Sequence, residues 1–209
     1  MRPKPRIESL SDLFFGLALS VGAITLVGNV SDITTTGELI NDIVVFGFSF
    51  LILISVWLRY TKIMSALPLE NRWVISLNTA LLFTVSLEPF LFNVLNLNAV
   101  LGKDVTSQFY AVDLGIMMAI LGGFSLVLSR EDRKLVPPDL IKEFKVESAT
   151  MFVAGALFFL STLSIFWSPG PNGLYWRFYL WIIPFAISGL RRRSVNIYGE
   201  IKKARGKAE

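Results

Sequence analysis

Residues 6–12 read RIESLSD, and residues 13–30 continue as LFFGLALSVGAITLVGNV. The first segment holds an arginine, a glutamate and an aspartate, whereas the second holds no charged residue over about five helical turns. A charged entry that leads into an uninterrupted apolar run is typical of a helix that starts at a membrane surface. This stretch therefore predicts a membrane protein, and we expect its function to begin at the border between the two segments.

Composition supports the same class. The 209 residues are 53% hydrophobic and only 17% charged, which argues against a soluble globule. Histidine and cysteine are both absent, so the chain cannot build a His- or Cys-ligated zinc site, a Ser-His-Asp triad or a Cys-His pair. We therefore expect neither an enzyme nor a bound cofactor or metal. The first apolar run lacks a signal-peptide cleavage pattern, which predicts a retained span.

Six apolar stretches are long enough to cross a hydrocarbon core, which takes about 20 helical residues. They cover approximately residues 10–30, 40–60, 73–95, 107–128, 146–167 and 174–190. The connections between them are short and rich in turn-forming residues, so none has room for another folded domain. The sequence predicts an all-α, polytopic membrane protein with six transmembrane helices in a single domain, residues 1–209.

The basic residues predict its orientation. Lysine and arginine collect in cytoplasmic loops, and an N-terminus inside the cell places all 20 of them on the inner side except Lys103 and Arg177. Both termini are then cytoplasmic, and we expect a multi-pass protein of the cell membrane. The same asymmetry explains the basic composition without a nucleic-acid partner.

The first span has one aliphatic face. Leu17, Val21 and Ile24 are spaced four and three residues apart, and Ser20 lies beside them. A stripe of this kind faces lipid, packs against another span or lines a pore, and spacing alone leaves these alternatives open. At the polar entry, Arg6 and Asp12 predict an ionic anchor or a conformational latch, with Asp12 stabilised by the dipole of a helix that starts close to it.

A specific resemblance bears on this choice. Arg6-x-x-x-Leu10-Ser11-Asp12 resembles the Arg-x-x-x-Phe-Ser-Asp signature that opens the first helix of the lysosomal transmembrane potassium-channel family and its prokaryotic homologues. Residues 78–90, NTALLFTVSLEPF, are similar to the third helix of that family, and Trp57 matches near the inner end of the second span. Leu10 departs from the signature, because it replaces an aromatic residue that would wedge the first helix against its neighbours.

The resemblance implies a potassium-preferring cation channel without a re-entrant selectivity loop. Prokaryotic members assemble as homotetramers, with the first helix of each subunit around the axis, so the implied partners are monovalent cations, the lipid bilayer and further copies of the chain. The pore residues it implies are Leu17, Val21 and Ile24 as hydrophobic rings, with Ser20 as the polar candidate. The implied network that anchors the pore helix is Arg6, Ser11, Asp12, Trp57 and Asn78.

Two acidic residues fall within predicted spans. Glu88 and Asp113 both lie in the outer third of the membrane by helical rise, where a lone charge costs several kcal/mol. Lys103 and Arg177 are the basic residues predicted on that side and are the expected partners. A salt-linked outer bundle, an acidic vestibule and a proton-titrating site remain open alternatives.

Three functions follow. The first is the potassium channel with a hydrophobic gate. The second is a proton-coupled transporter that uses Glu88 and Asp113 and works by alternating access. The third is a membrane organiser that conducts nothing.

Overall fold

Six helices make up most of the described chain. The structure, a computed structural model, describes residues 3–28, 35–67, 72–96, 102–131, 135–170 and 175–184, without the side chains of residues 3–6, 25–28, 41, 45, 95–96, 102–104 and 139. The helices are α1 (Pro3–Gly28), α2 (Thr36–Ala66), α3 (Arg72–Asn96), α4 (Gly102–Leu128), α5 (Pro138–Leu160) and α6, which covers residues 176–184. The prediction of an all-α fold with six helices is confirmed.

By length and apolar composition, four of the described helices are able to cross a membrane. Their qualifying segments are Ile7–Ile24 in α1, Thr36–Ala66, Arg72–Val94 and Val105–Leu128. The start of α5 carries several charged residues, among them Glu143, Lys145 and Glu147. The apolar part of this helix is therefore shorter than that of the other four. Because α5 also ends at Leu160, and a 3-10 turn follows at Ser164–Trp167, the predicted span 146–167 is not a single α-helix.

The first helix begins earlier than the hydropathy indicated. It starts at Pro3, so the polar segment 6–12 is itself helical, and no acidic residue lies in the first turn. Asp12 therefore lies in the third turn, beyond the reach of a dipole effect that decays within the first. The expectation that the helix dipole stabilises Asp12 is therefore wrong.

A capping box fixes the start of α2. The Thr35 side-chain oxygen accepts a hydrogen bond from the Glu38 backbone N–H at 3.2 Å, and the Thr35 N–H donates to the Glu38 carboxylate at 3.0 Å. Two backbone donors that a helix start leaves open are satisfied in this way. The helix then runs 31 residues to Ala66, longer than the predicted span 40–60.

All six helices contribute to the core, and α5 packs closely along α4. The closeness depends on glycine, because a Cβ on Gly155 would lie only 3.1 Å from the backbone oxygen of Gly115. Ser148 crosses the same interface and donates to the Gly122 carbonyl at 2.8 Å. Small residues that let helix backbones approach are the usual basis of helix pairing in membranes. The bundle therefore places α1 against α2 and α3, and α5 against α4.

Candidate functional site

The two faces of α1 lie in different surroundings. Ser11, Phe15 and Ala18 are buried against α2 and α3. A continuous stripe on the opposite side stays exposed in the single chain, and its members are Leu10, Leu13, Leu17, Val21 and Ile24. The residues of the stripe are three or four positions apart, which places them on one side of the helix. One face of α1 is thus held by the bundle, and the other is available to lipid, water or another subunit.

Ser11 joins three helices through its hydroxyl. Its Oγ accepts hydrogen bonds from the Tyr60 hydroxyl at 2.6 Å and from the Asn78 side-chain amide at 3.3 Å, and it donates to the Ile7 carbonyl at 2.8 Å. A serine hydroxyl offers one donor and two acceptor sites, so its bonding capacity is used in full. We call Ser11, Tyr60 and Asn78 the Ser11 cluster; it ties α1 to α2 and α3 at one point.

Asp12 makes a separate contact with α2. Its Oδ1 accepts a hydrogen bond from the Trp57 indole N–H at 2.9 Å. Trp57 and Tyr60 are three residues apart on α2 and so reach consecutive residues of α1 from the same face. Among the described residues, the Trp57 indole N–H is the hydrogen-bond donor that reaches the Asp12 carboxylate.

Four of the five residues predicted to anchor the pore helix are thus in contact with each other or with a shared partner. These four are Ser11, Asp12, Trp57 and Asn78. Arg6 lies on α1, but its side chain falls outside the described residues. The sequence interpretation missed Tyr60, although a tyrosine on the same face as Trp57 needs a partner for its hydroxyl when the ring is buried.

The predicted pore residues lie together on the exposed stripe of α1. Ile24 is 67% exposed, Leu17 53% and Val21 46%, so none of the three belongs to the core of the chain. Ser20 is exposed beside them, and its hydroxyl donates to the Gly16 carbonyl one turn earlier at 2.8 Å. That bond uses the donor of Ser20 and leaves the lone pairs of its oxygen facing outward as acceptors.

The two predicted intramembrane acids form a second buried group. Glu88 is fully buried, and its Oε1 accepts hydrogen bonds from the Ser49 hydroxyl at 2.7 Å and the Tyr110 hydroxyl at 3.0 Å. Asp113 is buried one turn after Tyr110 on α4. We call Ser49, Glu88, Tyr110 and Asp113 the Glu88 cluster; it joins α2, α3 and α4 and lies apart from the exposed stripe of α1.

The observed hydrogen-bond partners of Glu88 are not the basic residues that were expected. Arg177 is buried, donates to the Ser107 hydroxyl and stacks on Trp167, with its guanidinium carbon 5.0 Å from the ring centre. The hydrogen bonds that Glu88 accepts come from neutral hydroxyls, so the prediction that Arg177 pairs with it is wrong. The Lys103 side chain lies outside the described residues.

Near the C-terminal end of α2, two ion pairs connect this helix to the start of α5. Arg59 pairs with Glu147, and Lys62 pairs with Glu143. The first pair is mostly buried, whereas about half of the second is exposed. Since Arg59 and Lys62 alternate with Trp57 and Tyr60 along α2, the C-terminal part of this helix is held by both α5 and α1. In the part of the chain that the structure describes, no group of three or more acidic residues is arranged to hold a metal ion.

Comparison with known proteins returns two similarities. The family model described as endosomal/lysosomal potassium channel TMEM175 matches residues 6–89, which contain the exposed stripe of α1 and the whole Ser11 cluster. A crystal structure of a lysosomal potassium-selective channel TMEM175 homologue from Chamaesiphon minutus superposes with a TM-score of 0.57 at 19% identity. The superposition covers 78% of this chain and 89% of that one. No curated protein matches the chain by sequence.

Proposed function

We propose that this chain belongs to the TMEM175 potassium-channel family and forms a potassium-preferring cation channel whose pore is lined by α1. The observation that carries the proposal is the division of α1 into a face held by α2 and α3 and an exposed aliphatic stripe. A pore helix needs both features, because it has to stay in position while it presents side chains to the permeating ion.

The stripe has the chemistry of a hydrophobic gate. Leu17 and Ile24 are about 10 Å apart along the helix axis, which leaves room for three stacked rings with Val21 between them. Branched aliphatic side chains do not replace the hydration shell of an ion, so a narrow ring of them blocks conduction by dewetting. Selectivity for potassium then arises from pore width and the cost of dehydration, with the Ser20 hydroxyl as the polar group nearest to the rings.

A single copy of α1 lines only one side of such a path, so the proposal requires several copies. We propose a homotetramer with the four α1 helices around the axis, in a cell membrane and with both termini in the cytoplasm. The large exposed apolar surface of the chain supports burial against lipid and against other copies. The concentration of basic residues on one side supports the orientation.

Potassium flux into proteoliposomes, with the membrane potential clamped by an ionophore, tests this function. We expect flux from the wild-type protein and a change of about tenfold or more in Leu17→Ala. Shorter side chains change the height of the barrier that the ring sets, and a change of about 1.4 kcal/mol in that barrier changes the rate tenfold. Leu126→Ala is the matched control, because Leu126 is also exposed but lies on α4. Equal flux in both variants and in the wild type excludes the α1 gate.

A proton-coupled transporter is the second candidate, favoured by the two acids buried away from the α1 stripe. It requires alternating access instead of a continuous axial path. Uptake that follows a pH gradient and disappears in Glu88→Gln, with no passive potassium flux, favours the transporter. A well-folded tetramer that passes no ions at all favours a membrane organiser.

A further inference from the structure

The Glu88 cluster has a chemistry that a channel lined by α1 does not use. Its four side chains are all less than 5% exposed and come from α2, α3 and α4. Along α3, Glu88 lies about 15 Å from Asn78, the nearest member of the Ser11 cluster on that helix. The Glu88 cluster is therefore a separate polar site within the membrane-spanning part of the bundle.

Both side-chain hydrogen bonds in this cluster are accepted by the same carboxylate oxygen, Glu88 Oε1. Ser49 and Tyr110 both donate to Glu88 Oε1. Glu88 Oε2 is buried, and it has no hydrogen-bond partner among the residues that the structure describes. The two donors stabilise a negative charge at Oε1, whereas Oε2 lacks a donor among the described residues.

Within the described residues, Asp113 has fewer hydrogen-bond donors than Glu88. It is 3% exposed, and its Oδ2 is buried without a partner within the described ranges. Tyr110 lies on the same face of α4 one turn earlier, but its hydroxyl donates to Glu88. If both were ionised, two like charges would share a low-dielectric site with the donors of only one of them.

The surroundings offer aromatic rings in place of water. The rings of Phe92 and Trp181 lie 5.7 Å and 5.3 Å from the Tyr110 ring. Among the described residues, the ring contacts to Tyr110 from outside the cluster come from Phe92 on α3 and Trp181 on α6, and both of these side chains are neutral. Arg177 contacts Ser107, which lies about 9 Å before Asp113 along α4.

We infer that Asp113 is an interior proton-binding site, with the Glu88 carboxylate as its negative counter-group. A proton removes the charge of a buried carboxylate whose Oδ2 has no hydrogen-bond partner among the described residues. A metal ion fits less well, because it needs several oxygen ligands and would displace the hydroxyl hydrogen bonds to Glu88. The inference stands independently of the pore that α1 is proposed to line.

Infrared difference spectroscopy on the full-length protein in lipid tests this site, because the C=O stretch of a protonated carboxylic acid is resolved from that of a carboxylate. We expect an acid band at neutral pH that shifts in heavy water, disappears in Asp113→Asn and is unchanged by potassium. Glu143→Gln is the control, because Glu143 is a partly exposed acid in an ion pair and contributes no such band. Asparagine is a neutral isostere of the protonated acid, so Asp113→Asn should unfold at the wild-type temperature.

Several outcomes overturn the inference. The absence of an acid band in folded wild-type protein excludes a bound proton. A band that remains in Asp113→Asn but disappears in Glu88→Gln places the proton on the wrong residue, and a band that potassium suppresses indicates a metal-ion site. If Asp113→Asn fails to fold, the wild-type spectra with and without potassium still decide between a proton and a metal ion. None of these readouts depends on ion flux.

Discussion

The Ser11 cluster and the Glu88 cluster are both buried groups of hydrogen bonds that join three helices, but they differ in how completely they are satisfied. The Ser11 hydroxyl uses its donor and both of its acceptor sites, and its partners are neutral. The Glu88 cluster contains two acids with open oxygens. The amide oxygen of Asn78 is the one open group in the first cluster, and it carries no formal charge.

This difference indicates that one cluster positions a helix and that the other is able to bind a ligand. A saturated neutral hydroxyl has no capacity for a further ligand, so the Ser11 cluster fixes the rotation and depth of α1. Open carboxylate oxygens have that capacity, so the Glu88 cluster is where a proton can bind. Substitutions in the two clusters should therefore have different consequences, and the following predictions run from the largest effect to the smallest.

Ser11→Ala should cause the largest loss. It leaves the Tyr60 hydroxyl and the Asn78 amide as buried donors without their acceptor, which costs about 2 kcal/mol or more in the free energy of unfolding. We expect a lower unfolding midpoint in detergent and a loss of the assembled oligomer on size-exclusion chromatography. Ser65→Ala is the control, because Ser65 is exposed and donates to a carbonyl of its own helix at 2.8 Å. Wild-type stability in Ser11→Ala would contradict the anchoring role.

Removal of one hydroxyl from each cluster compares the two directly. Tyr110→Phe should lower the free energy of unfolding by about 1.5–3 kcal/mol, because its hydroxyl donates to a charged carboxylate, whereas Tyr60→Phe loses a neutral hydrogen bond of about 1 kcal/mol. Both proteins keep the buried ring, so packing is matched. Denaturant titration of the two variants measures the difference, and a larger loss in Tyr60→Phe would show that Glu88 is not the anion of its cluster.

Exchange of the Lys62–Glu143 pair should have the smallest effect. About half of each side chain is exposed, and such pairs contribute about 0–1 kcal/mol. Lys62→Glu alone should weaken the contact between α2 and α5 slightly, and the double exchange Lys62→Glu with Glu143→Lys should restore it. Unfolding at low and high salt measures this, because screening reduces the difference. A loss as large as that of Ser11→Ala would mean that this pair holds α2 in place.

The predictions from sequence were most successful for features that depend on local order. Hydropathy located six helices, and the spacing of Leu17, Val21 and Ile24 placed them on one side of α1. Resemblance to a family motif named Ser11, Asp12, Trp57 and Asn78, which the structure brings into contact. The conducting role of the α1 stripe and the anchoring role of these four residues stay predictions that the flux and stability measurements address.

The predictions were least successful for partners across helices. Arg177 was expected beside Glu88, but it contacts Ser107 and Trp167, and the hydroxyls of Ser49 and Tyr110 occupy its expected place. Tyr60 was not expected as a partner of Ser11. Charge complementarity suggests a pair, but it does not include the rotation of each helix, which determines which side chains meet.

The sequence by itself determined that the chain is helical and membrane-embedded and which residues share a face of each helix, because hydropathy and the 3.6-residue repeat are local properties. Only the tertiary structure decided that Ser11 joins α1, α2 and α3 and that Glu88 accepts hydrogen bonds from the neutral hydroxyls of Ser49 and Tyr110. Those contacts depend on how far each helix is shifted and rotated against its neighbours, and the packing of the whole bundle sets that arrangement.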